Sequence, residues 1–121
     1  MHEAPTPLPP ADSRGTRAAL VFALTAERLR LWYDHARWPT DAQGANLAAD
    51  WLARSKRSLP LAERQRLSAL SDHMARHIAD SLSREAGLHA VHEMTEALDP
   101  RYDSDLARAL MAECERLLDE T

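Results

Sequence analysis

Four of the six histidines have the spacing that a metal site requires. His73 and His77 are four residues apart, and His89 and His92 are three apart on the following predicted helix. Residues at these spacings share a helix face, and imidazole is a common zinc ligand. However, the first pair falls at the edge of an apolar stripe, and His89 points away from the apolar face of its own helix. Ordinary surface histidines are therefore the favoured interpretation, a His-based metal-binding protein is an alternative, and no cofactor is predicted.

Other residues that carry chemistry do not form a known catalytic pattern. Cys114 is the only cysteine and falls on an apolar helical stripe, where a buried thiol is more usual than a nucleophile. It allows no internal disulfide, which is typical of a reducing compartment. The three glycines are too far apart for a phosphate-binding loop, and no serine elbow or zinc-protease motif is present. The sequence predicts a protein that is not an enzyme.

A basic stretch at residues 54–66 is the main candidate for an interface. Its cations are Arg54, Lys56, Arg57, Arg64 and Arg66, opposed only by Glu63. Three interpretations stay open: a solvated surface, a receptor for the acidic C-terminal helix of this chain or another, and a contact to a phosphate backbone. Trp38 is a second candidate, because exposed tryptophans are enriched at interfaces, although a packed corner residue is the more common case.

Charge is unevenly distributed along the chain. The formal net charge is −4, which divides into −1 for residues 1–50, +3 for residues 51–92 and −6 for residues 93–121. The acidic last segment argues against a surface devoted to nucleic acid. A local anion site in the middle segment is still compatible with this pattern.

Composition predicts one all-α domain. The chain has 121 residues, of which 45% are hydrophobic and 28% charged, as in globular proteins. Its apolar residues are mostly Ala and Leu, which favour helices, and only Val21, Ile78 and Val91 are both apolar and β-branched. We expect an antiparallel bundle of four main helices plus one short helix.

Prolines, caps and apolar periodicity divide the domain into five predicted helices. These cover residues 12 or 16 to 35, 40 to 58, 60 to 86, 88 to 98, and 103 or 104 to 119. The uninterrupted apolar run from Ala18 to Ala26 indicates that the first helix is central. Thr40 and Gln43 form a capping-box pattern, and Gly87 suits the left-handed residue after a helix end.

Four prolines in the first ten residues exclude a helix there. Residues 1–11 are predicted to be an extended Pro-rich tail, either disordered or laid as an arm on a partner, and residues 12–121 to be the helical domain. No signal peptide and no membrane span is recognisable, so a cytoplasmic location is expected. The Arg and Ala bias suggests a bacterial source.

Taken together, these features predict a small helical protein–protein interaction module without catalytic activity. It would be an accessory or regulatory subunit that docks one helical face on a protein partner or on a second copy of itself, as a dimer. The complementary basic and acidic segments, Trp38 and the Pro-rich arm favour this function. The alternative to a protein-binding module is a nucleic-acid-contacting subunit that uses residues 54–66.

Overall fold

The computed structural model describes residues 14–99 and 101–120, and every regular element in them is an α-helix. The helices are α1 (Arg14–His35), α2 (Asp41–Arg54), α3 (Leu61–Ser81), α4 (Arg84–Glu96) and α5 (Asp105–Asp119). The all-α prediction is confirmed. The predicted tail at residues 1–11 lies outside the described residues.

Side-chain caps set the starts of three helices. Thr40 and Gln43 form the complete capping box at α2: the Gln43 backbone N–H donates to Thr40 Oγ1 at 3.1 Å, and the Thr40 N–H donates to Gln43 Oε1 at 2.9 Å. Ser104 caps α5 by accepting the Ala107 N–H at 3.1 Å. Each cap satisfies donors that have no partner within the helix. The capping box was predicted from the sequence, and for α5 the sequence offered Asp103 or Ser104 as the cap.

The junction between α3 and α4 differs from the prediction. We expected the third helix to reach residue 86 and Gly87 to follow it in a left-handed conformation. Instead α3 ends at Ser81, Leu82 is extended, and Ser83 caps α4 by accepting the Ala86 N–H at 3.1 Å. Gly87 lies inside α4 and has no positive φ. The Ser83 cap starts the next helix four residues earlier than the glycine suggested.

The turn after α2 also begins earlier than predicted. We expected the second helix to continue to residues 58–60, but it ends at Arg54. Lys56 then adopts a positive φ of 57°, which reverses the chain before Pro60. Pro60 takes the N-cap position of α3, one residue before the first turn in which we expected it.

The first helix is the centre of the fold, as its apolar run predicts. α1 packs against each of the other four helices, and its residues from Ala18 to Ala26 are all buried except Ala19, which is half-buried. Arg17 near its start pairs with Glu63 near the start of α3 at 2.9 Å, and Arg57 after α2 donates to Thr16. The antiparallel arrangement of four main helices stays a prediction. Among the described residues, no helix is long and apolar enough to cross a bilayer.

Candidate interaction groove

A buried arginine joins α1 to α3. The Arg28 side chain is 2% exposed, and it donates to Ser71 Oγ at 2.9 Å and to Ser68 Oγ at 2.7 Å. Its charge is balanced by Asp72, whose Oδ1 lies 3.1 Å from Nη1. Burial lowers the pKa of Arg28, and Asp72 opposes that shift. The network aligns the two helices through hydrogen bonds as well as apolar packing.

Gly44 lets α2 approach this network closely. A Cβ atom at Gly44 would lie 2.3 Å from Arg28 Nη2 and 2.3 Å from Ser68 Oγ. Such distances are far below a van der Waals contact, so only glycine fits at this position. The first turn of α2 is thereby held against α1 and α3.

An open groove remains between α2 and α5, which both pack on α1 but not extensively on each other. We call it the α2–α5 groove. Its widest part is a cavity of about 520 Å³, a size that suits a ligand or several peptide side chains. The lining residues are Ala19, Phe22, Trp51, Arg54, Ser55, Ala97, Leu98, Tyr102, Asp103, Ser104, Ala107, Arg108 and Met111.

The groove continues along α1. A second depression of about 220 Å³ shares Trp51, Arg54 and Leu98 with the first. Its other lining residues are Ala23, Leu24 and Glu27 of α1 and Leu47 and Asp50 of α2. From Ala19 to Glu27 the helix rises about 12 Å, which is long enough for several residues of an extended peptide.

Apolar side chains are exposed at the rim of the groove. Leu98 is 51% exposed and Tyr102 is 37% exposed, although both adjoin the apolar floor formed by Phe22. Other large exposed apolar residues, Leu61 and Leu88 among them, do not line this groove. Contiguous exposed apolar surface is typical of interaction sites, whereas single exposed residues need no explanation.

The polar groups of the α5 wall are occupied within the chain. Arg108 pairs with Asp103 and Asp105, and the hydroxyls of Tyr102 and Ser104 donate to Glu93 at 3.0 and 2.6 Å. Both hydrogen bonds lower the pKa of Glu93, and the one from Ser104 has the larger effect. On the opposite wall Arg54 is exposed and makes no ion pair with any residue of 14–99 or 101–120. The groove therefore combines an apolar floor with charged groups of both signs, because Glu27 and Asp50 line it together with Arg54.

Three of the five predicted basic residues have internal partners. Arg57 donates to Thr16, Arg64 donates to the Leu59 carbonyl at 2.7 Å, and Arg66 pairs with Glu63 at 3.1 Å. Hydrogen bonds from Arg66 and Arg17 lower the pKa of Glu63 to about 2. Arg57 thereby ties the α2–α3 connection to α1, whereas Arg64 and Arg66 make contacts within the connection and α3. Of the stretch, only Arg54 lines the groove, and Lys56 is exposed beside it.

Trp38 lies at the corner between α1 and α2, away from the groove. Its ring stacks on Trp32 with centroids 4.9 Å apart and an interplanar angle of 9°. The Arg76 guanidinium lies over the Trp38 ring at 4.7 Å. Trp38 is thus half-buried between a ring and a cation. This environment favours the packed-corner interpretation over the interface interpretation.

The four candidate histidines are all exposed. His73 and His77 border a depression between α3 and α5, where Glu113 is engaged by Arg116. His89 and His92 lie on α4, outside that depression. Within residues 14–99 and 101–120, no three His, Cys, Asp or Glu side chains come together as a metal site would require. A metal site that uses these histidines stays a prediction.

Cys114 is fully buried in the core, with its Sγ 3.4 Å from Met74 Sδ. The pKa of this thiol is raised to about 12, mainly because the thiol is buried. The thiol is therefore protonated at neutral pH, and a protonated thiol is a poor nucleophile.

The hydroxyl of Tyr33 is buried against Gly87. A Cβ atom at Gly87 would lie 1.8 Å from Tyr33 Oη, and this oxygen is shielded from solvent without a hydrogen-bond partner among the described residues. Burial raises the pKa of Tyr33. We expect Tyr33→Phe to raise the free energy of unfolding by about 1 kcal/mol, because it removes an unsatisfied polar group.

Urea denaturation followed by circular dichroism measures this change. The matched control is Tyr102→Phe, which removes a hydroxyl that donates to Glu93 and should lower stability slightly. A loss of stability in Tyr33→Phe as large as that of the control would contradict the expectation.

Comparison with known protein families, with characterised proteins and with solved structures finds no match to this chain.

Proposed function

We propose that this protein is a non-catalytic helical interaction module that docks an apolar segment of a protein partner in the α2–α5 groove. The observation that supports the proposal most directly is the groove itself, with an apolar floor, exposed Leu98 and Tyr102 at its rim, and Arg54, which forms no ion pair within the described residues. The module would act as an accessory or regulatory subunit in the cytoplasm, built as an antiparallel bundle of four main helices plus one short helix.

The chemistry of the groove defines the partner. Phe22, Trp51 and Met111 offer apolar surface to side chains of a bound segment, and aromatic residues often anchor such contacts. Arg54 favours a carboxylate on the segment, because guanidinium and carboxylate groups form strong paired hydrogen bonds. The partner segment is thus apolar with at least one acidic residue. A second copy of this chain meets the same description through its acidic C-terminal part.

Nucleic-acid contact through residues 54–66 is the weaker proposal. Each of three arginines already has a partner within the chain: Arg57 binds Thr16, Arg64 binds the Leu59 carbonyl and Arg66 binds Glu63. A phosphate backbone would have to compete with these partners.

Site-specific photocrosslinking tests the docking proposal. A benzophenone amino acid replaces Leu98 in the groove and, in a matched chain, Leu88, which is 38% exposed outside it. In cells that produce the protein natively, position 98 should give a discrete crosslinked product, and position 88 should not. Excess unmodified protein should suppress the product, and mass spectrometry should locate the attached residues in an apolar segment near an acidic residue.

Charge variants sharpen the same experiment. Arg54→Glu should reduce the yield at position 98, whereas Lys56→Glu, which makes the same charge change outside the groove, should not. Equal crosslinking at positions 98 and 88, or none at either, contradicts docking in the α2–α5 groove.

A further inference from the structure

We propose that the partner in the α2–α5 groove is a second copy of this chain, held across a two-fold axis by reciprocal ion pairs between Asp50 and Arg54. The inference names the partner of the proposed function and in that respect rests on it. Three features favour this occupant: the unpaired charges of the groove, their spacing on α2 and the apolar surface around them.

Charged side chains of both signs line the groove, and most of them have partners within the chain. The charged lining residues are Glu27, Asp50, Arg54, Asp103 and Arg108. Arg108 pairs with Asp103, and Glu27 pairs with a neighbouring arginine of α1. Asp50 and Arg54 are exposed, and neither forms an ion pair within the described part of the chain. The groove thus presents one unpaired charge of each sign.

A partner must satisfy both of these charges. They are four residues apart on one face of α2, which is about 6 Å along the helix axis. A purely acidic segment is attracted by Arg54 and repelled by Asp50, and a purely basic segment meets the opposite problem. Both charges are satisfied by a surface with an anion and a cation at the same separation and in reverse order. The α2 helix of a second copy, run antiparallel to the first, is such a surface.

Two-fold symmetry doubles the contact. When a two-fold axis crosses α2 between the two charges, Asp50 of each copy faces Arg54 of the other, because such an interface uses the same surface on both sides. Leu47 and Trp51 lie on the same stripe of α2 and line the same depression. Leu98, which is 51% exposed, lines it from the end of α4. The two ion pairs would therefore flank an apolar contact that covers these side chains in both copies.

The acids of the α5 wall fit this role less well than Asp50. Asp103 and Asp105 both pair with Arg108. Either carboxylate would have to leave that partner to bind Arg54 of a second copy. Asp50 has no ion pair to give up among the described residues. This difference favours α2, rather than the acidic C-terminal part, as the surface that meets Arg54.

Charge reversal tests the reciprocal pairs in the full chain. Asp50→Arg places two cations opposite each other in both pairs, and Arg54→Asp places two anions there. We expect the native chain to dimerise and each reversal to raise the dissociation constant of the dimer by about tenfold or more. Sedimentation velocity over a concentration series measures the dissociation constant. Circular dichroism verifies that both variants keep the helical content of the native chain.

Mixing the two variants is the decisive step. In a heterodimer of the Asp50→Arg chain with the Arg54→Asp chain, both pairs again join opposite charges, so the mixture should dimerise although neither variant does so alone. The double variant that carries both substitutions should also dimerise. Matched reversals at exposed positions outside the groove, Lys56→Asp and Asp80→Arg, should leave the dimer unchanged.

Four results overturn the inference. The first is a native chain that stays monomeric into the millimolar range. The second is a dimer that either groove reversal leaves intact, because its contact then does not use these charges. The third is a pair of monomeric variants that stay apart when mixed, because reciprocal pairing requires the rescue. The fourth is equal dissociation by the reversals outside the groove.

The outcome is separable from that of the crosslinking experiment. A monomeric native chain that gives a discrete crosslink from position 98 to a different protein removes the second copy as partner and keeps the docking function. Equal crosslinking at positions 98 and 88, together with a dimer that the mixed reversals restore, keeps the reciprocal α2 contact and removes segment docking.

Discussion

Replacing Arg28 by alanine is expected to lower the free energy of unfolding by about 3 kcal/mol, because a fully buried side chain and its hydrogen bonds are lost. The guanidinium is almost wholly shielded from solvent, and it holds Ser68, Ser71 and Asp72 of α3. Its loss leaves a void between α1 and α3. It also removes the charged hydrogen-bond donor of both serine hydroxyls. Of all single substitutions that we consider, this one should have the largest effect on stability.

Urea denaturation of the variant and of a control on the same helix measures the effect. Arg30 is 43% exposed and pairs with Glu27 and Asp34 on the surface of α1. Exposed pairs of this kind contribute about 0.2–1 kcal/mol, so Arg30→Ala should cost no more than that. Equal losses in the two variants would mean that the Arg28 network does not stabilise the fold beyond an ordinary surface pair.

The Arg28→Lys variant separates charge from geometry. Lysine keeps the positive charge opposite Asp72 but lacks the planar fork that reaches both serines at once. We expect it to recover only part of the lost stability. Complete recovery would show that the charge alone accounts for the effect.

Gly44→Ala is expected to lower the free energy of unfolding by about 1–3 kcal/mol, the usual cost of overpacking a core. Helix propensity alone predicts the opposite, because alanine is favoured over glycine by about 1 kcal/mol inside a helix. The added methyl group would lie 2.3 Å from both Arg28 Nη2 and Ser68 Oγ. Since these atoms are held by hydrogen bonds to each other, neither moves aside without breaking the network.

Gly15→Ala is the matched control for this substitution. A Cβ atom at Gly15, in the first turn of α1, meets nothing within 4 Å. There alanine should raise stability by about 0.5 kcal/mol. Thermal and urea unfolding of the two variants should therefore change in opposite directions, and a stabilising Gly44→Ala would contradict the close approach of α2.

A double variant links the two predictions. In the Arg28→Ala background, Gly44→Ala should cost less than in the native chain, because one of its two clashing groups is gone. Ser68 Oγ remains, so some cost should persist. Strictly additive effects would mean that Gly44 and Arg28 do not interact.

Features that depend on neighbouring residues were predictable from the sequence. The Thr40–Gln43 capping box, a start of α5 after Asp103 or Ser104, and the central position of the Ala18–Ala26 run all follow from patterns a few residues long. The error at the α3–α4 junction has the same local nature. We placed the boundary at Gly87, whereas the serine at position 83 caps the start of α4.

The partners of the arginines could not be predicted in this way. Arg28 is separated from Asp72 by 44 positions, and Arg57 from Thr16 by 41. The sequence showed a basic stretch at 54–66 but not that Arg57, Arg64 and Arg66 have partners inside the chain. The sequence did hold a partial signal that Arg28 is buried. It follows Val21 and Thr25 at helical spacing, and these two residues lie on the buried face of α1.

The sequence by itself determined the helical class, most of the caps and which helix is central, because periodicity and capping act over one or two turns of chain. Only the tertiary structure decided that Arg28 is buried, that Gly44 must be glycine and that a groove stays open between α2 and α5. The physical reason is that these features depend on distances between helices. Packing sets those distances through contacts among residues that are remote in the chain.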